Sequence, residues 1–307
     1  MNRAINYAAG VGYASIFGFS FLVTKGALAV LDPFELLFLR FAIAAAILSL
    51  LAAARVIKVD FRGKPIKNLI LACLFQPLLY FTSETFGVSE SASSTAGIVL
   101  GALPAAVAVL GTFMLKERLS LLQGGSLFLS IAGVALIALL GGVAGGDSGS
   151  PRGFAFLVGA VASAAFYNIY SRRSSRVWTP VETTFAMMLS GALVFGLICL
   201  IRGLAGGGGY APGLARRALP VLPGLLYLGA LSSVLAFFLI NFTLSRLKAS
   251  QSVVFSSLTT VISVAAGVVL RGEAFGPAQL AGSVMIVAGV WGTNAFAAKS
   301  SARASAG

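Results

Sequence analysis

The sequence predicts an all-α integral membrane protein with ten transmembrane helices in two inverted five-helix repeats, N and C termini cytoplasmic. Three observations carry this: ten long apolar runs, a one-sided distribution of positive charge, and two halves that align with each other. Of the 307 residues, 58% are hydrophobic and 10% charged, with a mean hydropathy of +0.96. Soluble domains carry about 25% charged residues, so neither a soluble globule nor a disordered chain fits. Histidine is absent, which excludes His-based metal sites, triads and proton relays. Cys73 and Cys199 each fall inside an apolar run and read as buried free thiols.

A membrane-spanning helix takes about 20 mostly apolar residues. Such runs lie near 5–30, 33–54, 67–89, 92–115, 120–142, 153–172, 180–202, 221–245, 249–270 and 276–297, each bounded by Pro, Gly or charge. The first carries a single Arg3 ahead of it and continues well past the apolar length of a signal peptide, so it reads as a retained span. The connections are too short for any soluble domain. The tail 298–307 is small and polar and reads as disordered.

Placing the N-terminus inside puts fifteen cations in inner segments: Arg3; Arg55, Lys58, Arg62, Lys64 and Lys67; Lys116 and Arg118; Arg172, Arg173 and Arg176; Arg246 and Lys248; Lys299 and Arg303. Five remain outside: Arg152, Arg202, Arg216, Arg217 and Arg271. Positive residues gather on the cytoplasmic side of membrane proteins, so the net charge of +13 expresses topology and not nucleic-acid binding.

At a shift of 156, Glu117 meets Glu273, Gln123 meets Gln279, Ser94 meets Ser250, and 131–134 meets 287–290. Earlier in each half the shift is 147, where 32–35 matches 179–182 and Lys25 falls on Arg172. The difference is absorbed by the Gly-rich stretch 203–212. The repeats are therefore expected at 1–148 and 149–307. Five spans per repeat is an odd number, so the second copy enters the membrane upside down. Inverted repeats are a usual basis for alternating access around a site near the bilayer midplane.

The stretch FGFSFLVTKGALAVLDPFELLFLRFAIAAA (17–46) resembles the opening helices of EamA-type members of the drug/metabolite transporter superfamily. The resemblance continues through 91–137, with its helix proline and Glu117, and returns in weaker form at 249–292. In the ninth span, an acidic-proline pair common in the family is replaced by Ser257-Leu258-Thr259-Thr260. The resemblance implies a central cavity lined by the first four helices of each half, with the fifth and tenth outside. It also implies export of small metabolites from a bacterial cytoplasm across the inner membrane. Within the superfamily the chain is most similar to amino-acid exporters, those for aromatic amino acids in particular.

Ionisable groups inside a bilayer are costly and usually face the protein interior. Lys25, Arg40 and Glu84 alone lie well within spans, each about 10 Å below the outer boundary at 1.5 Å per residue. They form either a carboxylate-binding or gating cluster or a structural ion cluster, unless Lys25 snorkels outward. Gln76, Tyr80, Ser83 and Glu84 share one stripe of the third span, which turns toward a cavity or a helix seam. Tyr13 and Phe17, with Ser20 and Thr24, form a similar stripe on the first span, and Tyr167, Asn168 and Tyr170 mark the sixth. Rings with a polar handle suit amphipathic organic substrates, although each also suits plain helix packing. The ninth span carries Gln251, Ser252, Ser256, Thr259, Thr260 and Ser263, and Asn241 lies near the position matching Glu84. Such hydroxyls serve either a site or interhelical bonds. Gly97, Gly101 and Ala105 make a small-residue seam beside Pro104, Trp178 reads as an interface anchor, and Glu117 and Glu273 precede the fifth and tenth spans.

The leading expectation is a secondary transporter that exports amino acids or similar amphipathic metabolites. An exporter of lipophilic cations or drugs, a channel and a membrane-embedded enzyme are the alternatives. HExxH, GxSxG and P-loop patterns are absent, so no enzymatic activity, cofactor or metal is expected. The expected partners are a small-molecule substrate and the lipid bilayer. Oligomeric state is open.

Overall fold

The computed structural model describes residues 3–115, 121–140, 150–206, 213–246 and 255–304. All secondary structure among them is helical. The rods are α1 (Arg3–Ala27), α2 (Pro33–Ala53), α3 (Lys67–Ser89), α4 (Ser93–Leu100 continued by Leu103–Leu115), α5 (Leu121–Leu140) and α6 (Pro151–Ser174). They continue with α7 (Pro180–Leu204), α8 (Leu214–Arg246), α9 (Phe255–Arg271) and α10 (Pro277–Ala304). Among the described residues, seven helices are long and apolar enough to cross a membrane: α1 to α4 and α6 to α8. Three shorter apolar segments lie at Leu121–Ile137, Leu258–Arg271 and Pro277–Gly292. Large side chains such as Phe113 (78% exposed), Leu193 (65%) and Trp291 (72%) point outward, a surface only a lipid environment accommodates at this density. α10 runs on to Ala304, correcting the disordered tail; its Ala-rich end favours helix. Residues 305–307, Lys116, Glu117, Arg118, Lys248, Ser250, Gln251 and Ser252 lie outside the described residues.

Local chemistry sets the helix starts. Asp32 caps α2 by accepting from Phe34 N at 3.0 Å, while Glu35 accepts from Asp32 N at 3.1 Å. Thr179 and Glu182 repeat this box at α7, where Glu182 N donates to Thr179 Oγ1 at 3.2 Å. Each box has an acid three residues after the cap and Pro at the first helical position, which is why 32–35 and 179–182 look alike in sequence. The two boxes also tie α2 to α7. Arg202, near the end of α7, pairs with Asp32 at 2.6 Å, and Lys64, beyond the end of α2, pairs with Glu182 at 2.7 Å. The two helices therefore pack antiparallel. Arg217 completes the set by pairing with Glu35 at 2.5 Å. Trp178 is only 2% exposed and donates to the Pro65 carbonyl at 3.1 Å. It is a packed core residue and not the interface anchor the sequence suggests, because the loop before α3 folds over it.

Two other helix pairs cross antiparallel and very closely. A methyl on Gly133 of α5 would meet the Gly282 carbonyl of α10 at 2.7 Å, and one on Gly289 would meet Ser130 N at 2.7 Å. Gly97 and Gly101 of α4 lie against Ser263 and Thr260 of α9. Small residues allow this approach, as in other membrane helix pairs.

Three rods are irregular. Pro104 has no N–H for the Leu100 carbonyl, and α4 breaks at Gly101-Ala102. α3 widens to a π turn over Leu74–Leu79, with Gln76 at φ −150°, ψ 116° ahead of a cis bond to Pro77. α8 carries a comparable π segment, Tyr227–Ala236, and such bulges gather at functional positions.

Candidate functional site

A narrow central cavity of about 70 Å³ opens between the rods, inside a wider atom-free space of about 700 Å³ that takes in its open mouth. α1 supplies Tyr13, Phe17, Ser20 and Phe21; α3 supplies Gln76, Tyr80, Phe81 and Glu84. α4 adds Gly97, Leu100 and Leu103, α6 adds Ala164 and Asn168, α8 adds Ile240, and α9 adds Ser256, Thr259 and Thr260. The breaks in α3 and α4 both border this space, so irregular backbone lies where it faces a cavity, as the bilayer requires. α2 and α7 contribute no lining residue; they pack on each other instead of framing the cavity as the resemblance implies.

Of the residues singled out in the sequence, Tyr13, Phe17, Ser20, Gln76, Tyr80, Glu84, Gly97, Asn168, Ser256, Thr259 and Thr260 meet here. Glu84 is 2% exposed and accepts from Thr85 Oγ1 at 3.3 Å. Its second oxygen has no hydrogen-bond donor among the described residues, and the same holds for the Gln76 amide and the Ser256 hydroxyl. Asn168 donates to the Ala164 carbonyl at 2.8 Å. Thr260 is turned to packing: its hydroxyl donates to the Gly97 carbonyl at 2.9 Å.

Six others lie elsewhere. Lys25 donates to the Val88 and Ser89 carbonyls at 3.0 and 3.1 Å, where a cation suits the end of a helix. Arg40 is 1% exposed, and gives Nε to Ser233 Oγ at 3.2 Å and Nη2 to Ser232 Oγ at 3.1 Å. Its guanidinium stands 4.3 Å from the ring centre of Phe81. Among the described residues no ion pair within 4 Å joins it to Glu84. The three groups therefore do not form one contact cluster; Arg40 acts on Glu84 across space. Ser83 turns toward Gly159 of α6, because in the regular helix Tyr80–Ser89 it lies about 100° around the axis from Glu84, at the edge of the stripe. Tyr167 donates to Asn241 Oδ1 at 2.7 Å, Ser171 does so at 2.8 Å, and Asn241 Nδ2 donates to Thr184 at 3.0 Å. This knot ties α6, α7 and α8 together. Tyr170 stacks on Phe75 at 5.6 Å.

Sequence reasoning missed Phe81, the Ser232-Ser233 pair and the role of Glu273. The two serines interrupt an otherwise apolar run, a visible signal. Glu273 accepts from Ser93 N at 3.0 Å, Ser93 Oγ at 2.6 Å and Ser94 N at 2.8 Å. It thereby caps α4 from the loop between α9 and α10, instead of serving the tenth span alone. Burial raises its pKa, but these hydrogen bonds outweigh it and hold the carboxyl below its usual range.

These features define a class: a multi-pass helical membrane protein with a cavity between its two halves. The EamA-like transporter family matches residues 5–139 and again 151–295, and the chain belongs to that family. It is therefore a membrane transporter of the EamA type, which fits a protein without enzymatic activity. It is 35% identical to the "Uncharacterized transporter YcxC" of Bacillus subtilis, over 94% of this chain and 92% of that one. It is 27% identical to the "Probable amino-acid metabolite efflux pump" of Salmonella typhimurium, over 90% of each chain. A solved crystal structure superposes with a TM-score of 0.66 over 96% of this chain and 99% of that one. At 20% identity that likeness concerns the fold alone.

Proposed function

We propose that the protein is an exporter of amino acids, aromatic ones included, or of related small amphipathic metabolites, working by alternating access in the inner membrane of a bacterium. The observation that carries this reading is the aromatic and amide-lined cavity between the halves. Its rings and neutral polar groups match an amphipathic molecule better than a hydrated ion. The relationship to a protein named as an amino-acid metabolite efflux pump supports the substrate class. We read all ten apolar rods as spans, with cytoplasmic termini and repeats at 1–148 and 149–307. The antiparallel contacts of α2 with α7, α4 with α9 and α5 with α10 support inversion of the second half.

A second reading, export of lipophilic cations, gains from the geometry. The sequence alone places two cations near Glu84, whereas Arg40 is engaged by Ser232 and Ser233 and makes no close ion pair with it.

Proteoliposome uptake of labelled phenylalanine and leucine tests the leading reading. Saturable flux is expected, unchanged when a pH gradient is imposed, because export runs down the substrate's own gradient. Flux that strictly requires the pH gradient contradicts the facilitated mechanism, and flux that never saturates contradicts a carrier.

A further inference from the structure

The charge inventory of the cavity is lopsided. Its lining holds one carboxylate, Glu84, and among the described lining residues no cation at all. Of the two cations at this depth, Lys25 donates to the Val88 and Ser89 carbonyls, and Arg40 is spent on Ser232 and Ser233, with its guanidinium 4.3 Å from the ring centre of Phe81, which lines the cavity. Its charge offsets Glu84 at a distance without occupying the space that a ligand takes. Glu84 keeps an oxygen with no donor among the described residues, in a site that is otherwise largely apolar. A buried carboxylate of this kind calls for a cationic partner.

The neighbouring groups say what sort of cation fits. Phe17 and Tyr80 line the cavity with Tyr13, and the Tyr13 and Phe17 rings lie edge to face at 6.0 Å. Aromatic faces attract an ammonium group and also receive an apolar body. Phe81 already offers its ring to Arg40, so Phe17 and Tyr80 carry this part. Gln76 and Ser256, without partners of their own among the described residues, are the neutral polar groups left for a ligand. A carboxylate brought by the substrate would meet only such neutral donors.

We propose that the cavity recognises its substrate by a protonated amine, which pairs with Glu84 within the frame of Phe17 and Tyr80, and that a substrate carboxylate is dispensable. The proposal deepens the exporter reading and rests on it for the idea that this cavity is the transport site. It makes Arg40 a positioning residue that holds Phe81 and balances charge, and not a ligand of the substrate carboxylate.

Three molecules with one aromatic skeleton separate the possibilities: phenethylamine, phenylalanine and 3-phenylpropionate. Binding to the purified full chain, measured by isothermal titration, is expected to give phenethylamine a Kd equal to or below that of phenylalanine. Its Kd should lie at least tenfold below that of 3-phenylpropionate. Glu84→Gln is expected to weaken phenethylamine at least tenfold, and Glu84→Asp to recover part of the loss, each with an unfolding temperature near the wild-type value. Should Glu84→Gln fail to fold, the wild-type order of the three probes still decides. Equal or tighter binding of 3-phenylpropionate, an unchanged affinity in folded Glu84→Gln, or binding of none of the three overturns the proposal. Saturable flux that prefers the anion overturns it while leaving the carrier standing. Amine binding without saturable flux of any probe overturns the exporter reading and leaves the assignment of Glu84.

Discussion

Alanine in place of Gly97 is expected to destabilise the protein by about 1–3 kcal/mol, the range for overpacking a tight interface, and to abolish flux. The added methyl overlaps the Ser263 side chain of α9, and helix backbones cannot yield as a side-chain tip can. Separating α4 from α9 also breaks two bonds, Ser263 Oγ to the Ser93 carbonyl at 3.0 Å and Thr260 Oγ1 to the Gly97 carbonyl at 2.9 Å. Both helices line the cavity, so a shift here deforms the site directly. Thermal unfolding in detergent and proteoliposome uptake measure the two effects. Combining Gly97→Ala with Ser263→Gly removes the overlapping atoms and is expected to restore part of the stability, a coupling that a double-mutant cycle reads. Purely additive losses would show that the contact is not what limits position 97.

Glu273→Ala is expected to cost about 2 kcal/mol, because it strips the cap from α4 and leaves buried donors without partners. Ala92 stands at the N-cap position of α4 and offers no side-chain oxygen, so the carboxylate arriving from the far half has no local substitute. The effect has a pH signature. The folded carboxyl titrates below its ordinary value of 4.5, so its stabilisation is complete above about pH 4.5 and is lost as the pH falls through the depressed folded value. Wild-type unfolding temperature should therefore drop on acidification below that point, and the Glu273→Ala curve should be flatter there. Parallel curves for the two proteins would remove Glu273 from the account.

The sequence exposes what depends on local pattern. Apolar length marks the rods, and the boxes at 32–35 and 179–182 are visible as matching tetrapeptides because each satisfies its own helix start. The Gly97 and Gly101 seam is legible because small residues at four-residue steps have few uses other than close approach. What depends on contacts between distant segments is hidden. Glu273 reads as a residue before the tenth span, yet its carboxylate bonds residues 180 positions away. Arg40 and Glu84 sit at a similar depth in sequence, but nothing in their spacing shows that Ser232 and Ser233 intercept the guanidinium. Ser83 stands at the edge of the stripe formed by Gln76, Tyr80 and Glu84, and the neighbouring α6 decides that it faces Gly159 instead of the cavity. A period of 3.6 residues gives the face but not which neighbour stands on each side of it. The hydroxyls of the ninth span divide: Thr260 and Ser263 bond α4 backbone, whereas Ser256 borders the cavity without a partner among the described residues.

We read the protein as a carrier whose two halves alternate around one cavity. Counterflow in proteoliposomes tests it most directly: vesicles loaded with unlabelled phenylalanine are diluted into a trace of the labelled amino acid. Label is expected to accumulate transiently above its external concentration and then to decay as the unlabelled gradient runs down. Uptake that rises only to equilibrium, however large the internal load, would contradict it.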